Sequence, residues 1–416
     1  MTTMTEPSLA SEISVPSVPK DSWRGWAVVG AACVGLLFNV GVLVLYSFGV
    51  VTSSMAADFG WSVVERSALF VSFSICVAVS GPLWGILADR IGARRVIVIS
   101  TILLAGSFAS LAIIPGSLLL AHLIFALIGV LGSGTLPPIY ANLVVGWFDR
   151  SRGLALGISM MGIGLGASIL PPVAASIVTH LGWREMCVAY GLMVLLISRP
   201  CALLFLRAHP DQLLRTKEAG HSVRVTVTRA FGQSHTWVLA IFALITGVIL
   251  VASVTSFVPM LQSRGETVVR AAQFQSILGI SLLAGRLIGG ALFDRIFAPR
   301  VVTAILLITA CGFLVLAQAS TPAAYALAAI GIGAAIGLEI DFLAFIVSRY
   351  YDRIAYATIC SLFFAIYCIG STAGPSLFAW LLQYSGDHGL GLRLFAALTF
   401  LLALSMFMLP RYEARK

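Results

Sequence analysis

What most limits this chain is a succession of apolar stretches, each about as long as a membrane-spanning helix and nearly free of charge. A span takes about 20 residues, and such stretches lie near residues 26–52, 66–88, 95–114, 118–145, 153–178, 186–206, 236–261, 271–293, 301–319, 322–347, 355–382 and 392–409. Twelve of them need roughly 240 apolar positions, close to what 59% of 416 residues supplies, while only 10% of the chain is charged. A water-soluble domain is thereby excluded, and an all-α membrane protein with twelve transmembrane helices, spans 1 to 12, is expected. All seven cysteines lie in or at the edge of apolar runs, so no disulfide framework is implied. The net charge of +9 is dispersed in small clusters between the spans. That pattern reads as membrane topology and not as a nucleic-acid surface.

Residues 1–22 are polar, rich in Ser, Thr and Pro, and lack the apolar core of a secretory signal, so a disordered cytoplasmic tail is expected there. The longest polar interruption, 207–235, follows the sixth span and reads as a cytoplasmic linker between six-helix bundles at 23–206 and 236–410, with a short cytoplasmic tail at 411–416. Of the 26 Lys and Arg residues, Arg66, Arg184, Arg264, Arg270 and Arg393 fall in outer segments and Arg199 and Arg286 within spans, which leaves 19 inside. By the positive-inside rule both termini are cytoplasmic.

The halves repeat each other. Gly85-Ile-Leu-Ala-Asp89-Arg90-Ile-Gly-Ala-Arg94-Arg95 recurs 205 positions later as Gly290-Ala-Leu-Phe-Asp294-Arg295-Ile-Phe-Ala-Pro-Arg300. Trp147-Phe-Asp149-Arg150 recurs 203 positions later as Tyr350-Tyr-Asp352-Arg353. Gly81 with Gly85, and Gly285 with Gly289, are matching small-residue pairs that let helix backbones approach. Repeats of this kind place a transporter's substrate near the midplane between two halves that rock around it.

The Gly85 to Arg95 segment resembles the signature loop between spans 2 and 3 of the major facilitator superfamily. The resemblance covers the whole chain and implies that superfamily's fold of two pseudo-symmetric six-helix bundles. The loop is expected to act as a conformational latch, with Gly85, Asp89, Arg90 and Arg94 in the first copy and Asp294 and Arg295 in the second. Trp147-Phe148-Asp-Arg150-Ser-Arg152-Gly153, followed by Met161-Gly162-Ile-Gly164-Leu-Gly166, is similar to the span 4 to span 5 signature of monocarboxylate transporters and bacterial oxalate/formate-type antiporters. Tyr46-Ser-Phe-Gly-Val and Asp58-Phe-Gly-Trp61-Ser resemble the same group.

A charge inside a span costs about 2.5–3.5 kcal/mol on insertion scales, so Arg286 needs a reason. It lies eight residues before Asp294, roughly 12 Å in from the inner end, and its counterpart in the first half is Gly81. A guanidinium is permanently charged and grips a carboxylate through two parallel bonds. Resemblance to the Arg in span 8 of monocarboxylate and oxalate transporters implies that it receives the substrate carboxylate. The alternative is a structural pairing with a buried acid. The chain departs from mammalian monocarboxylate transporters in having Leu282 where they carry an Asp one turn before that Arg, and no Lys in span 1. Residues 355–382 hold no Lys, Arg or His, unlike span 11 of the oxalate-type exchangers, and one cation suits one carboxylate.

Glu339 and Asp341 are the candidates for proton coupling, because a buried carboxyl can hold a proton at ordinary pH. Two apart on a helix, they point about 200° apart, and a contact with inner Arg clusters is the competing expectation. Further lining candidates are Asn39 and Tyr46, seven apart on span 1, Tyr140 and Asn142 in span 4, Gln275 eleven before Arg286, and Tyr367. No HExxH, Walker loop or metal-ligand cluster points to an enzyme or pump, and no cofactor is implied. Neither polar segment is long enough for a receptor's signalling domain. The expected function is secondary active transport of a small organic monocarboxylate across a bacterial inner membrane, by proton symport. Anion exchange, or a drug- or sugar-type facilitator, are the alternatives, and a monomer is expected.

Overall fold

The computed structural model describes residues 19–210, 222–318 and 321–412. Most of the expected N-terminal tail, the centre of the linker (211–221) and residues 413–416 lie outside them. Among the described residues there are twelve helices long and apolar enough to cross a membrane and no strand. They are Trp23–Phe48, Ala68–Ile91, Ala93–Ala112, Leu118–Trp147, Arg152–His180 and Trp183–Phe205 in the first half. In the second half they are Ser234–Ser263, Gln273–Phe293, Ala298–Gln318, Pro322–Tyr350, Tyr356–Ser385 and Gly389–Met408. All seven cysteines are free. Large apolar side chains remain on the outer face, for example Leu123 in span 4, Leu196 in span 6 and Ile288 in span 8. A bilayer would cover that surface.

Local chemistry sets where helices bend or stop. Span 1 breaks because the Asn39 carboxamide accepts from the backbone N–H groups of Gly41 and Val42 and starts a new helix, Val40–Phe59. Span 4 passes through a short 3-10 turn at Ser133–Thr135 and restarts at Pro137, whose missing N–H costs nothing in a first turn. Span 6 carries a π-turn over Val194–Ser198, just before Pro200. The second half has no such interruption in spans 7, 8 or 10, which run as single helices.

Glycines bring spans 8 and 10 together at backbone distance. A Cβ at Gly285 would lie 2.8 Å from the carbonyl oxygen of Ala334, and Gly333 and Gly337 press on the carbonyls of Leu278 and Leu282. Such contacts exclude any side chain and fix the facing residues of both helices. Between the halves, Gly153 meets Gly290 where span 5 crosses span 8, and a Cβ at Gly85 would lie 2.7 Å from the carbonyl of Ala357 in span 11.

Candidate substrate site and the latch between the halves

The close packing of spans 8 and 10 brings a guanidinium and a carboxylate together in the interior. Arg286 donates from Nη1 to Asp341 Oδ1 at 2.8 Å, with the two residues 2% and 1% exposed. Span 5 of the other half reaches the same place, since Gly157 packs on the carbonyl of Arg286. Glu339, also 2% exposed, meets the Tyr367 hydroxyl of span 11 and stands within electrostatic reach of Arg286 and Asp341. Tyr46 of span 1 stands within electrostatic reach of Arg286, Glu339 and Tyr367 and remains 39% exposed. Spans 1, 8, 10 and 11 thus converge on one cation, two carboxyls and two phenols.

The cluster is incompletely satisfied. Arg286 Nε, Asp341 Oδ2 and Glu339 Oε2 are buried without a hydrogen-bond partner among the described residues. Three unpaired polar atoms in one buried charged group leave hydrogen-bonding capacity that the packing of the helices does not use. With one guanidinium and two carboxyls, the group is neutral when one carboxyl carries a proton. An added carboxylate would find guanidinium donors that Asp341 does not use.

The other candidates have different surroundings. Asn39 is committed to capping, and its amide also donates to the carbonyl of Leu36. Tyr140 is fully buried against Gly35 of span 1. Asn142 donates to Asp89 Oδ1 at 3.2 Å. Gln275 is partly buried three turns from Arg286, its Oε1 without a partner among the described residues. Leu282 presents its carbonyl to Gly337, so the acid beside the guanidinium comes from span 10. His122 meets the hydroxyl of Ser72 at 2.8 Å, between spans 4 and 2.

A second group of contacts joins the halves at the end that carries the Arg-rich loops, here the basic end. Asp89, at the end of span 2, accepts from the backbone N–H of Ala357 at 3.1 Å, that of Thr358 at 2.8 Å and the Thr358 hydroxyl at 2.7 Å. Asp294, at the end of span 8, accepts from the N–H groups of Gly153 at 2.7 Å and Leu154 at 3.0 Å. Each aspartate thereby caps the first turn of a helix in the opposite half, span 11 or span 5. The free amides and the positive helix end favour an anion there. Burial pushes the half-buried Asp294 carboxyl above its usual value, against the pull of its two amides and of Arg349 and Arg152.

Arg152, 2% exposed, adds a third link by donating to the carbonyl of Ser348 at 3.4 Å and its hydroxyl at 3.1 Å. Arg152 belongs to the signature between spans 4 and 5, but sequence reasoning assigned no role to it, to Ser348 or to Thr358. A cation in the first turn of an apolar span was the available signal for Arg152. Arg90 and Arg295 are exposed, and Arg94 donates to the carbonyl of Leu203 within its own half at 2.6 Å. Of the six residues expected to form the latch, Asp89, Asp294 and Gly85 make the inter-half contacts.

Two repeated six-span halves closing on a buried charged cluster define a membrane carrier. The sequence profile of the Major Facilitator Superfamily matches residues 28–375, and the chain belongs to that family. A 38 kDa protein of Thermoproteus tenax, uncharacterised and encoded in its 23S RNA operon, is 29% identical over 93% of this chain and 96% of its own length. Riboflavin transporter RibJ of Trypanosoma brucei brucei is 28% identical over 40% of this chain and 31% of its own. Monocarboxylate transporter 13 of Rattus norvegicus is 28% identical over 68% and 64%. The chain therefore spans less than two thirds of these two transporters. The Escherichia coli fucose:proton symporter FucP shares the fold, with a TM-score of 0.72 at 16% identity over 92% of this chain and 99% of that one.

Proposed function

We propose that this transporter carries a small organic monocarboxylate, with Arg286 as the anion receptor and the two halves rocking about it. The observation that carries the reading is the buried Arg286–Asp341 pair with its unsatisfied Nε and carboxyl oxygens at the interface of the halves. A substrate carboxylate forming two parallel bonds to the guanidinium competes with Asp341. The displaced carboxylate would be left buried and unpaired, a costly state that one proton relieves. Entry of one anion is thereby matched to one proton, taken up by Asp341 or by Glu339 beside Tyr367. The similarity to a monocarboxylate transporter supports the substrate class, and the scarcity of other interior cations supports a single negative charge.

The conformational cycle follows from the two aspartate caps. With Asp89 and Asp294 seated, the halves are held together at the basic end, and substrate would reach Arg286 past the exposed Tyr46 from the other side. Unseating the caps would let the basic end part. By the positive-inside rule that end faces the cytoplasm of a bacterium.

The test is uptake by proteoliposomes containing the full chain, screened with lactate-like, branched and aromatic acids, with and without an inward proton gradient. Gradient-dependent uptake of a monocarboxylate, lost in Arg286→Gln, is the expected result. Uptake confined to neutral or cationic compounds would overturn the reading. Strong acceleration by internal substrate with no response to the gradient would replace symport by exchange.

A further inference from the structure

Outside the central cluster, a wide concavity lies at the basic end of the first half, where spans 2, 3 and 6 terminate. It has a volume of about 830 Å³, and four of its lining residues are Arg90, Arg94, Arg95 and Arg207. Among the described residues no carboxylate lies within ion-pair distance of any of the four. Arg94 and Arg95 stand in the first turn of span 3, whose helix start at Gly92 has no side-chain cap. Cations there oppose the positive helix end, an arrangement that an anion would relieve. The walls are held in place, since Arg94 is tied to the carbonyl of Leu203 and the Trp147 indole donates to the carbonyl of Arg207 at 2.6 Å.

The second half has the same junction, where spans 9 and 12 meet, and there the chain supplies its own filling. Arg300 and Arg411 line a cavity of only about 160 Å³. The Tyr412 hydroxyl accepts from the N–H of Ala298, the first residue of span 9, at 3.0 Å, and its ring packs on Phe297. In the first half the corresponding aromatic is His209, buried and edge-on to Trp147 at 5.1 Å, and the larger arginine-lined cavity lies open beside it.

Below the arginines, Ile99 of span 3 and Leu203, Leu204 and Phe205 of span 6 turn apolar side chains outward, between 41% and 61% exposed. A ligand matched to both parts carries a phosphodiester and acyl chains. We propose that this cavity binds the headgroup of an anionic phospholipid, the four guanidinium groups holding the phosphate and the apolar faces of spans 3 and 6 seating the chains. The site depends on the fold alone and not on the proposed substrate.

Native mass spectrometry of the delipidated full chain, titrated with dioleoylphosphatidylglycerol, tests the proposal. One high-affinity adduct is expected, weakened about tenfold or more in Arg95→Gln/Arg207→Gln from the loss of two interfacial charges. The charge-preserving Arg95→Lys/Arg207→Lys should retain most of the binding, which separates lost charge from lost fold. The Arg300→Gln/Arg411→Gln chain should bind like the parent. Equal binding of dioleoylphosphatidylcholine, or an equal loss in the Arg300/Arg411 variant, would overturn the assignment. Displacement by millimolar inorganic phosphate or glycerol 3-phosphate would also overturn it, in favour of a free-anion site.

Discussion

The two halves of this transporter share their mechanics and differ in their chemistry. Asp89 and Asp294 occupy equivalent places in the repeat, and each caps a helix of the opposite half. Yet Arg286, Glu339 and Asp341 all belong to the second half, and the position equivalent to Arg286 is Gly81, where an added Cβ would make only an ordinary contact with Leu136. The first half has the bent helices instead, with breaks at Asn39, Ser133–Thr135 and Val194–Ser198. Duplication thus preserved the contacts that join the halves and left one half free to acquire charge. The latches themselves are unequal. Asp89 accepts four hydrogen bonds, one of them from Asn142, and is 6% exposed, whereas Asp294 accepts two and is half-buried.

The largest effect should come from the charge that one half has and the other lacks. Arg286→Leu strands Asp341 in the interior and should cost roughly 3–5 kcal/mol of stability, measured as a lowered unfolding temperature in detergent. Arg286→Leu/Asp341→Leu should recover most of that loss while carboxylate uptake stays at least about 100-fold down, because two charge-assisted bonds to substrate are gone. Recovery of uptake in the double variant would mean that the pair is structural only. Next, Glu339→Gln should abolish accumulation driven by a proton gradient yet spare exchange of labelled for unlabelled substrate. Unchanged accumulation would move the coupling role to Asp341.

The comparison of the latches gives a smaller effect. Asp89→Asn should speed hydrogen exchange at Ala357 and Thr358 by about tenfold or more, from loss of charge-assisted acceptance, whereas Asp294→Asn should leave exchange at Gly153 and Leu154 nearly unchanged near neutral pH, because burial there already outweighs the pull of the amides on the anion. The reverse order would show that burial does not rank the two caps. Smallest is the pH response of Asp294. Its carboxyl titrates above the usual value near 3.8 when seated, so the seated state binds a proton more tightly than a solvent-exposed one. The Asp294 contribution to closure is therefore full below about 4 and falls as pH rises through the raised value. In Asp294→Asn, exchange at Gly153 and Leu154 should lose that pH dependence after correction for intrinsic rates.

Much of the site was legible from residue type alone. An Arg with seven residues of apolar helix between it and Asp294, and two carboxyls in span 10, stand out because a bilayer tolerates few charges. Their pairing was not legible, since it spans 55 residues of sequence and depends on how glycines on spans 8 and 10 mesh. Asn39 shows the opposite failure. A seven-residue spacing to Tyr46 puts both on one face only if the helix is continuous, and the preference of Asn for a helix start breaks that assumption. Asn142 and Tyr140 were placed correctly on span 4, but helix position does not reveal which neighbour a side chain meets.

The sequence by itself determined twelve spans, the repeat and the basic clusters, because hydrophobic length and charge are read locally, one segment at a time, and a bilayer penalises every deviation. Only the tertiary structure decided which acid neutralises Arg286, which half's aspartate caps which helix, and that the arginines of the first repeat frame an open cavity while Tyr412 fills its counterpart. Those outcomes depend on close approach between distant segments. Desolvation and hydrogen-bond geometry change steeply over an ångström, and no local pattern records that distance.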